Sequence, residues 1–206
     1  MLTPTKTIQS RYNLPHCLNL LEVKGKEAFG DHFKIAPEDH EIIYSLILYF
    51  LKDEDACKEL NISTNKGIIL SGPIGCGKTS LMTILRTILP MEQRFNIKSC
   101  RQVSFEFNKD GYDIIHKYST AAYSEFRPIT YCFDDLGTES SIKFFGNDCN
   151  VMTEILLSRY DQFVSRKMIT HITTNLNGEE IGQQYGPRVR SRMREQFNLI
   201  SFDRCT

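Results

Sequence analysis

Dense apolar runs alternate along this chain with stretches in which apolar residues recur every three or four positions. Ile68–Leu70, ITYCF (Ile129–Phe133), MITHITT (Met168–Thr174) and NLISF (Asn198–Phe202) read as strands, and the alternating RQVSFEF (Arg101–Phe107) reads as another. Helical spacing follows a glycine-rich loop at Leu81, Ile84, Leu85 and Ile88 and stops before Pro90. A second helix is predicted from Ala36-Pro37-Glu38-Asp39, where proline suits the first turn and the acids favour its positive end, to the charged residues near Lys52–Asp55. Strands alternating with helices predict an α/β fold, a parallel sheet covered on both faces. Residues 1–36 read as an arm or small helical lead-in, and residues 37–206 as one domain.

Composition narrows the function classes. The 206 residues carry 25 Lys plus Arg against 25 Asp plus Glu, so any contact with nucleic acid is local and not an effect of overall charge. The longest apolar run, Ile42–Phe50, falls far below the roughly 20 residues that cross a bilayer, and no leader pattern opens the chain. Seven cysteines, an odd number with no C-x-x-C pair, argue against a disulfide framework or a zinc site and suit a reducing, cytoplasmic setting.

Three motifs carry chemistry. GPIGCGKT, Gly72–Thr79, follows a predicted strand and opens a predicted helix, the setting a phosphate loop requires. Its glycines let backbone N–H groups turn inward, and the helix presents its positive end to an anion. Gly72, Pro73, Gly75, Cys76, Gly77, Lys78, Thr79 and Ser80 are the candidate nucleotide-binding residues, Lys78 reaching the β and γ phosphates and Thr79 holding Mg²⁺ through its hydroxyl. ITYCFDDLG ends a strand in two carboxylates; Asp134 is assigned to the metal and Asp135 to the attacking water, the plainer alternative being a simple turn. In ITTNLNGEE, Asn175 follows a strand and is placed to meet the γ phosphate or the water, whereas Asn177, before Gly178-Glu179-Glu180, is the better helix cap.

In this order the residues resemble the AAA+ ATPases, and among them the DnaC-like helicase loaders and IstB-like transposition ATPases. The resemblance runs from about residue 37 to the end through Walker A (GPIGCGKT), Walker B (YCFDDLG), LLSRYDQ (Leu156–Gln162), sensor 1 (TTN) and YGPRVRSRM. It implies a P-loop AAA+ core with a five-stranded sheet and no C-terminal helical lid. It further implies Mg²⁺-dependent ATP hydrolysis at a site shared between protomers of an ATP-dependent homo-oligomer, and a replicative helicase or transposase as partner. Arg192 falls at the position of the arginine finger, with Arg188 in support, and Arg204 is similar to an arginine after the last strand. Walker B here has Asp135 where many AAA+ proteins have glutamate.

Other readings compete. A small-molecule phosphotransferase uses the same loop but lacks here an arginine-rich lid, and a nucleotide-gated module without turnover has no use for Asp134, Asp135 and Lys78. Guanine recognition finds only Asn108-Lys109-Asp110-Gly111, with the acid one place early and ahead of the aspartates. Phe107, Tyr112, Tyr118, Tyr123 and Phe126, interleaved with Lys109, Lys117 and Arg127, suit either single-stranded DNA or the packing of a helix on a sheet. Phe144 and Phe145 pose the same choice. In a helix starting at Pro187, Arg188 and Arg192 share one face, Arg190 and Arg194 lie nearly opposite, and Val189, Met193 and Phe197 form an apolar stripe.

Overall fold

In the computed structural model, which describes residues 12–139, 142–144 and 147–202, the chain divides into two compact units. One holds residues 12–64 with Gly77–Arg94, the other Asn65–Cys76 with residues 95–202.

The first unit is helical. Helix α1 (Leu14–Phe29) starts at Asn13, whose side chain accepts the His16 N–H, and has proline in its first turn. A 3₁₀ turn at Pro37–Asp39 leads into α2 (His40–Phe50), which is buried from Tyr44 to Phe50 except at Ser45 and supplies the centre of this unit's core. Asp53 caps α3 (Glu54–Glu59) and also accepts the Tyr12 hydroxyl at 2.8 Å, tying the chain before α1 to the end of α2. Helix α4 (Lys78–Ile88) buries Leu81, Met82, Ile84 and Leu85 and packs on α1.

The second unit is built on five parallel strands, β1 (Gly67–Ser71), β2 (Asn96–Ser99), β5 (Tyr131–Leu136), β8 (Thr170–Thr174) and β9 (Phe197–Ser201), in the order β2-β5-β8-β1-β9. Helices α5 (Cys100–Asp110), α6 (Asp113–Tyr118), α7 (Val151–Arg166) and α8 (Gly178–Gln196) belong with it. Two small hairpins, β3 (Tyr123–Ser124) with β4 (Arg127–Pro128) and β6 (Ile142–Phe144) with β7 (Asn147–Cys149), complete it. Phe145, the side chain of Phe144, and Arg204 lie outside the described residues.

Four of the five expected strands are in place, and the α/β class with a five-stranded parallel sheet is correct. The fifth is a correction: Arg101–Phe107 is helical, and the strand is Asn96–Ser99 just before it. VSFEF alternates like a strand, but Cys100, Val103, Ser104 and Phe107 bury one helical face and leave Phe105 exposed. The true strand is short, polar and at the sheet edge, so it carries little apolar signal.

Arg159 on α7 joins the layers around the sheet. It is wholly buried, yet it donates to Thr170 Oγ1 (2.7 Å) and to the carbonyls of Tyr118 (2.8 Å), Ile129 (3.1 Å) and Ile169 (2.8 Å). Its guanidinium also lies over the rings of Tyr131 and Phe133. Burial lowers the guanidinium's pKa, and these acceptors and ring faces compensate the charged form. Arg159→Ala orphans several buried acceptors and opens a cavity together, so a loss of about 3–5 kcal/mol is expected in urea denaturation. Arg159→Lys, which keeps the charge without the planar fork, should fall between; an Arg159→Ala protein with the wild-type midpoint would show that the network contributes nothing.

Candidate nucleotide site

The phosphate loop owes its shape to three glycines. Gly72, Gly75 and Gly77 have φ of 153°, 82° and 91°, values that L side chains rarely adopt. At Gly72 a Cβ would also strike Phe202 Cβ at 2.7 Å, but at Gly75 and Gly77 it would meet nothing within 4 Å. Those two glycines therefore serve the backbone, and the space beside them is open. Gly77 begins α4 with no side-chain cap, and no acidic residue occupies the first turn. A helix that starts in this way leaves its positive end to an anion. Lys78 is the first helical residue and is buried, followed by Thr79 and Ser80. This stretch fits a polyphosphate; an alkyl or neutral ligand would have no use for it.

In the sheet unit, the carboxyl ends of three adjacent strands meet. The Gly72 N–H donates to the Thr174 carbonyl at 3.2 Å, which sets the start of the loop beside the end of β8. Across β8 lies β5 with the paired aspartates. Phe133 pairs with Ile172 and Leu136 with Thr174, so Asp134 and Asp135 together oppose the single residue Thr173. That is a β-bulge, which re-aims side chains where a regular ladder would fix them. Thr173 holds both: its hydroxyl donates to Asp134 Oδ1 at 2.7 Å and accepts the Asp135 N–H at 2.9 Å. Asp134 is thereby buried, and Asp135, half-buried, has φ of 55°. Thr174 adds a second tie, its hydroxyl donating to the Leu136 carbonyl at 2.7 Å and accepting the Leu176 N–H.

Asn175 follows directly and is half-buried. Asn177 is the helix cap, as expected: it accepts the N–H groups of Glu179 and Glu180 while Glu180 returns a bond to its own N–H. The structure thus gathers Gly72, Asp134, Asp135 and Asn175 at one end of the sheet. Sequence reasoning missed Thr173 and Thr174, which set that geometry. Two polar residues at the end of a doubly buried strand must find partners, and that was a usable signal.

The arginines behave differently. Gly186, with φ 86° and ψ 161°, interrupts α8, and the helix resumes at the predicted Pro187. Val189, Met193 and Phe197 are buried, as the stripe required. Arg188 is exposed, whereas Arg192 lies 4.6 Å over the Tyr160 ring and 3.6 Å from Asp161. Phe197, five residues after Arg192, pairs with Gly67, the first residue of β1, so α8 returns to the edge of the sheet opposite the aspartates. Arg192 is therefore not brought to its own protomer's aspartates.

The first half of α8 does touch the loop after the aspartates. Tyr185 donates to Glu139, whose other oxygen accepts the Gly137 N–H at 3.0 Å, and Gln184 reaches the Gly137 carbonyl. Among the aromatic residues of the DNA-or-core segment, Phe107 and Tyr118 are core and Tyr123 is tied to Gln162, while Tyr112 and Phe126 are exposed. Phe126 is fully exposed at the tip of the β3–β4 hairpin, where both it and Glu125 have positive φ.

Burial raises the Glu139 carboxyl's pKa despite its two hydrogen bonds. The folded protein consequently keeps this proton at pH values where the unfolded chain, with an ordinary value of 4.5, has lost it. The associated stability is present at low pH and is lost as pH rises above about 4.5 through the raised value. Thermal unfolding followed across that window should show a shallower fall in Glu139→Gln than in wild type; equal slopes would remove Glu139 from the account.

No protein-family model matches the sequence, and comparison with curated proteins finds no match. Solved structures do match. The DnaC helicase loader superimposes with a TM-score of 0.54 at 16% identity, over 84% of this chain and 95% of that one. A putative primosome component from Streptococcus pyogenes serotype M3 gives 0.56 at 15% identity, over 82% and 81%. A DNA replication initiation factor gives 0.53 at 11% identity, over 84% of this chain but 48% of that one. The chain shares the fold of the DnaC helicase loader, with its own five parallel strands in the order β2-β5-β8-β1-β9 between helices.

Proposed function

We propose that this protein binds and hydrolyses ATP at a site shared between protomers and acts in DNA replication as a loader of a replicative helicase. The observation that carries the proposal is the bulged pair Asp134–Asp135, locked by Thr173 on the strand next to the one that opens the phosphate loop. A turn that merely ended a strand would need no such lock. The similarity to a helicase loader and a primosome component favours a helicase over a transposase as partner.

In this reading the loop from Gly72 to Thr79 wraps the phosphates with its N–H groups, and Lys78 carries the positive charge to the β and γ phosphates. Thr79 and Asp134 would hold Mg²⁺, which would supply charge neutralisation at the phosphate oxygens. Asp135 orients a water and accepts its proton as the water oxygen bonds to the γ phosphorus and the bond to the β-phosphate oxygen breaks, yielding ADP and phosphate. Asn175 positions the water or the γ phosphate. Arg192, with Arg188 beside it on the same helical face, stabilises the developing charge at a neighbour's site. To act in that way Arg192 leaves the Tyr160 ring and Asp161, so ATP-dependent assembly and release of that contact are linked.

Lys78→Ala should abolish nucleotide binding, and Arg192→Ala should bind ATP within a few-fold of wild type while losing about a hundredfold or more in kcat. Mixing the two inactive proteins should restore part of the activity, since the first brings an intact arginine to the intact site of the second. An Arg192→Ala protein that hydrolyses ATP at the wild-type rate in the assembled state refutes the shared site.

Single-stranded DNA is a further proposed partner, with Phe126 as a stacking surface and the exposed Arg127 and Arg166 near it for phosphate. Fluorescence anisotropy with labelled oligonucleotide should show weaker binding for Phe126→Ala, and equal affinity would remove this surface from the function.

A further inference from the structure

Strand β9 is an edge of the sheet, paired with β1 and with no other described strand. The Phe202 N–H donates to the Ser71 carbonyl, so Phe202 and, by alternation, Ile200 and Asn198 turn their backbone groups toward β1. Leu199 and Ser201 turn theirs outward, where no described residue takes them up. Nothing in the sequence of this edge blunts it. Leu199 is 70% exposed and Ser201 is exposed, and no charge, proline or bulge interrupts the pairing of Gly67–Ser71 with Phe197–Ser201. An open edge of this kind is a template for another extended backbone.

The face beside the edge selects what that backbone carries. A groove of about 330 Å³ runs between α8, β1 and β9, with Ile69, Ile181, Met193, Phe197 and Leu199 on its walls. Its lining holds two arginines, Arg190 and Arg194, and no acidic residue. The Arg190 stem lies against Gly182, where a Cβ would stand 3.0 Å from its Cδ, and its Nε is buried. Arg194 is the accessible charge, exposed and with no partner for its side chain among the described residues. The acid next to it, Glu195, is taken by the Tyr160 hydroxyl at 2.6 Å, and Lys66 adds a second cation, its Nζ 3.1 Å from the Arg194 carbonyl. A second copy of this edge would bring the same arginines and no carboxylate, because a twofold contact sets a patch against itself. Residues 1–11, with Lys6 and Arg11 and no acid, suit the groove no better.

We propose that β9 accepts an extended segment of a partner protein as an added strand. The segment bonds through its backbone to Leu199 and Ser201, lays alternate apolar side chains in the groove, and sets an acidic residue toward Arg194. The surface lies within the sheet unit, and the proposal does not rest on the nucleotide reaction.

The probe is the blocked peptide acetyl-Thr-Val-Thr-Val-Thr-Glu-Thr-amide, titrated into the full chain and followed by the backbone amide resonances of β9. In the free protein the Leu199 and Ser201 amides should exchange with solvent much faster than that of Ile200, and the peptide should slow both. It should bind in the roughly millimolar range or tighter. N-methylation at alternate residues removes the N–H groups from one side of the peptide strand, and at least one of the two such peptides should lose about tenfold or more in affinity. Replacing its glutamate by lysine should weaken binding about fivefold, and Arg194→Glu should reverse that preference, a reversal that partial unfolding does not produce. The proposal is overturned if both N-methylated peptides bind like the parent, if the lysine peptide binds equally well, or if no β9 amide responds at about 10 mM peptide. Protection of Leu199 and Ser201 that rises with protein concentration in the absence of peptide would give the edge to a second copy and overturn the partner assignment.

Discussion

The hydroxyl of Thr173 is the contact on which the geometry of the strand ends, and with it the proposed chemistry, depends. One oxygen donates to Asp134 and accepts from the backbone of Asp135, so it fixes a carboxylate and a main-chain conformation at once. Without it the two-against-one register of β5 on β8 would cost the Asp135 N–H and the Asp134 carboxylate one hydrogen bond each at the same point. Alternation in a regular strand would also send consecutive aspartates to opposite faces of the sheet. The bulge breaks that alternation at the two carboxylates proposed above as metal ligand and water-orienting base.

Helix α8 joins that end of the sheet to its opposite edge. Its first half is tied to the loop after the aspartates through Tyr185, Gln184 and Glu139, and its second half carries Arg188 and Arg192. Between them Gly186 takes a conformation that an L side chain would resist, and Pro187 restarts the helix with no N–H to satisfy. A break at this point allows the two halves to answer to different contacts, the loop at one end and Tyr160 with Asp161 at the other. In the proposed shared site, this break would be a physical route by which one protomer's aspartate loop bears on the arginine offered to the next.

Much of this was legible in the sequence because the signals were local. The phosphate loop, the break before Pro187 and the Asn177 cap each depend on residues within a few positions, where glycine, proline and asparagine have definite backbone consequences. The apolar runs that became β1, β5 and β8 were visible for the same reason, since central strands buried on both faces cannot hide their composition. What failed was the β2 edge. Asn96–Ser99 has no apolar run, and the helix after it carries valine and two phenylalanines in a strand-like alternation that only tertiary burial resolves. Arg159 was unreadable on different grounds: in LLSRYDQ it looks like a surface cation, and its acceptors lie on three other segments up to 41 residues away. The lock on the aspartates is of the same type, because Thr173 is 38 residues from Asp135 and meets it only through strand order.

The bulge also bears on why position 135 holds aspartate where many of the AAA+ ATPases that the sequence resembles carry the longer glutamate. With φ of 55° this residue sits in the left-handed region, which asparagine and aspartate enter far more readily than other non-glycine residues. A regular strand can carry glutamate at its end and use the side chain's length to reach a water. A strand that turns its backbone into the left-handed region moves the base by main-chain geometry, and the residue best suited to that geometry is the shorter acid. Reach and backbone conformation are thus alternative solutions to one placement problem. With Asp135 as the proposed base, its φ and the hydrogen bond from its N–H to Thr173 correspond to the second.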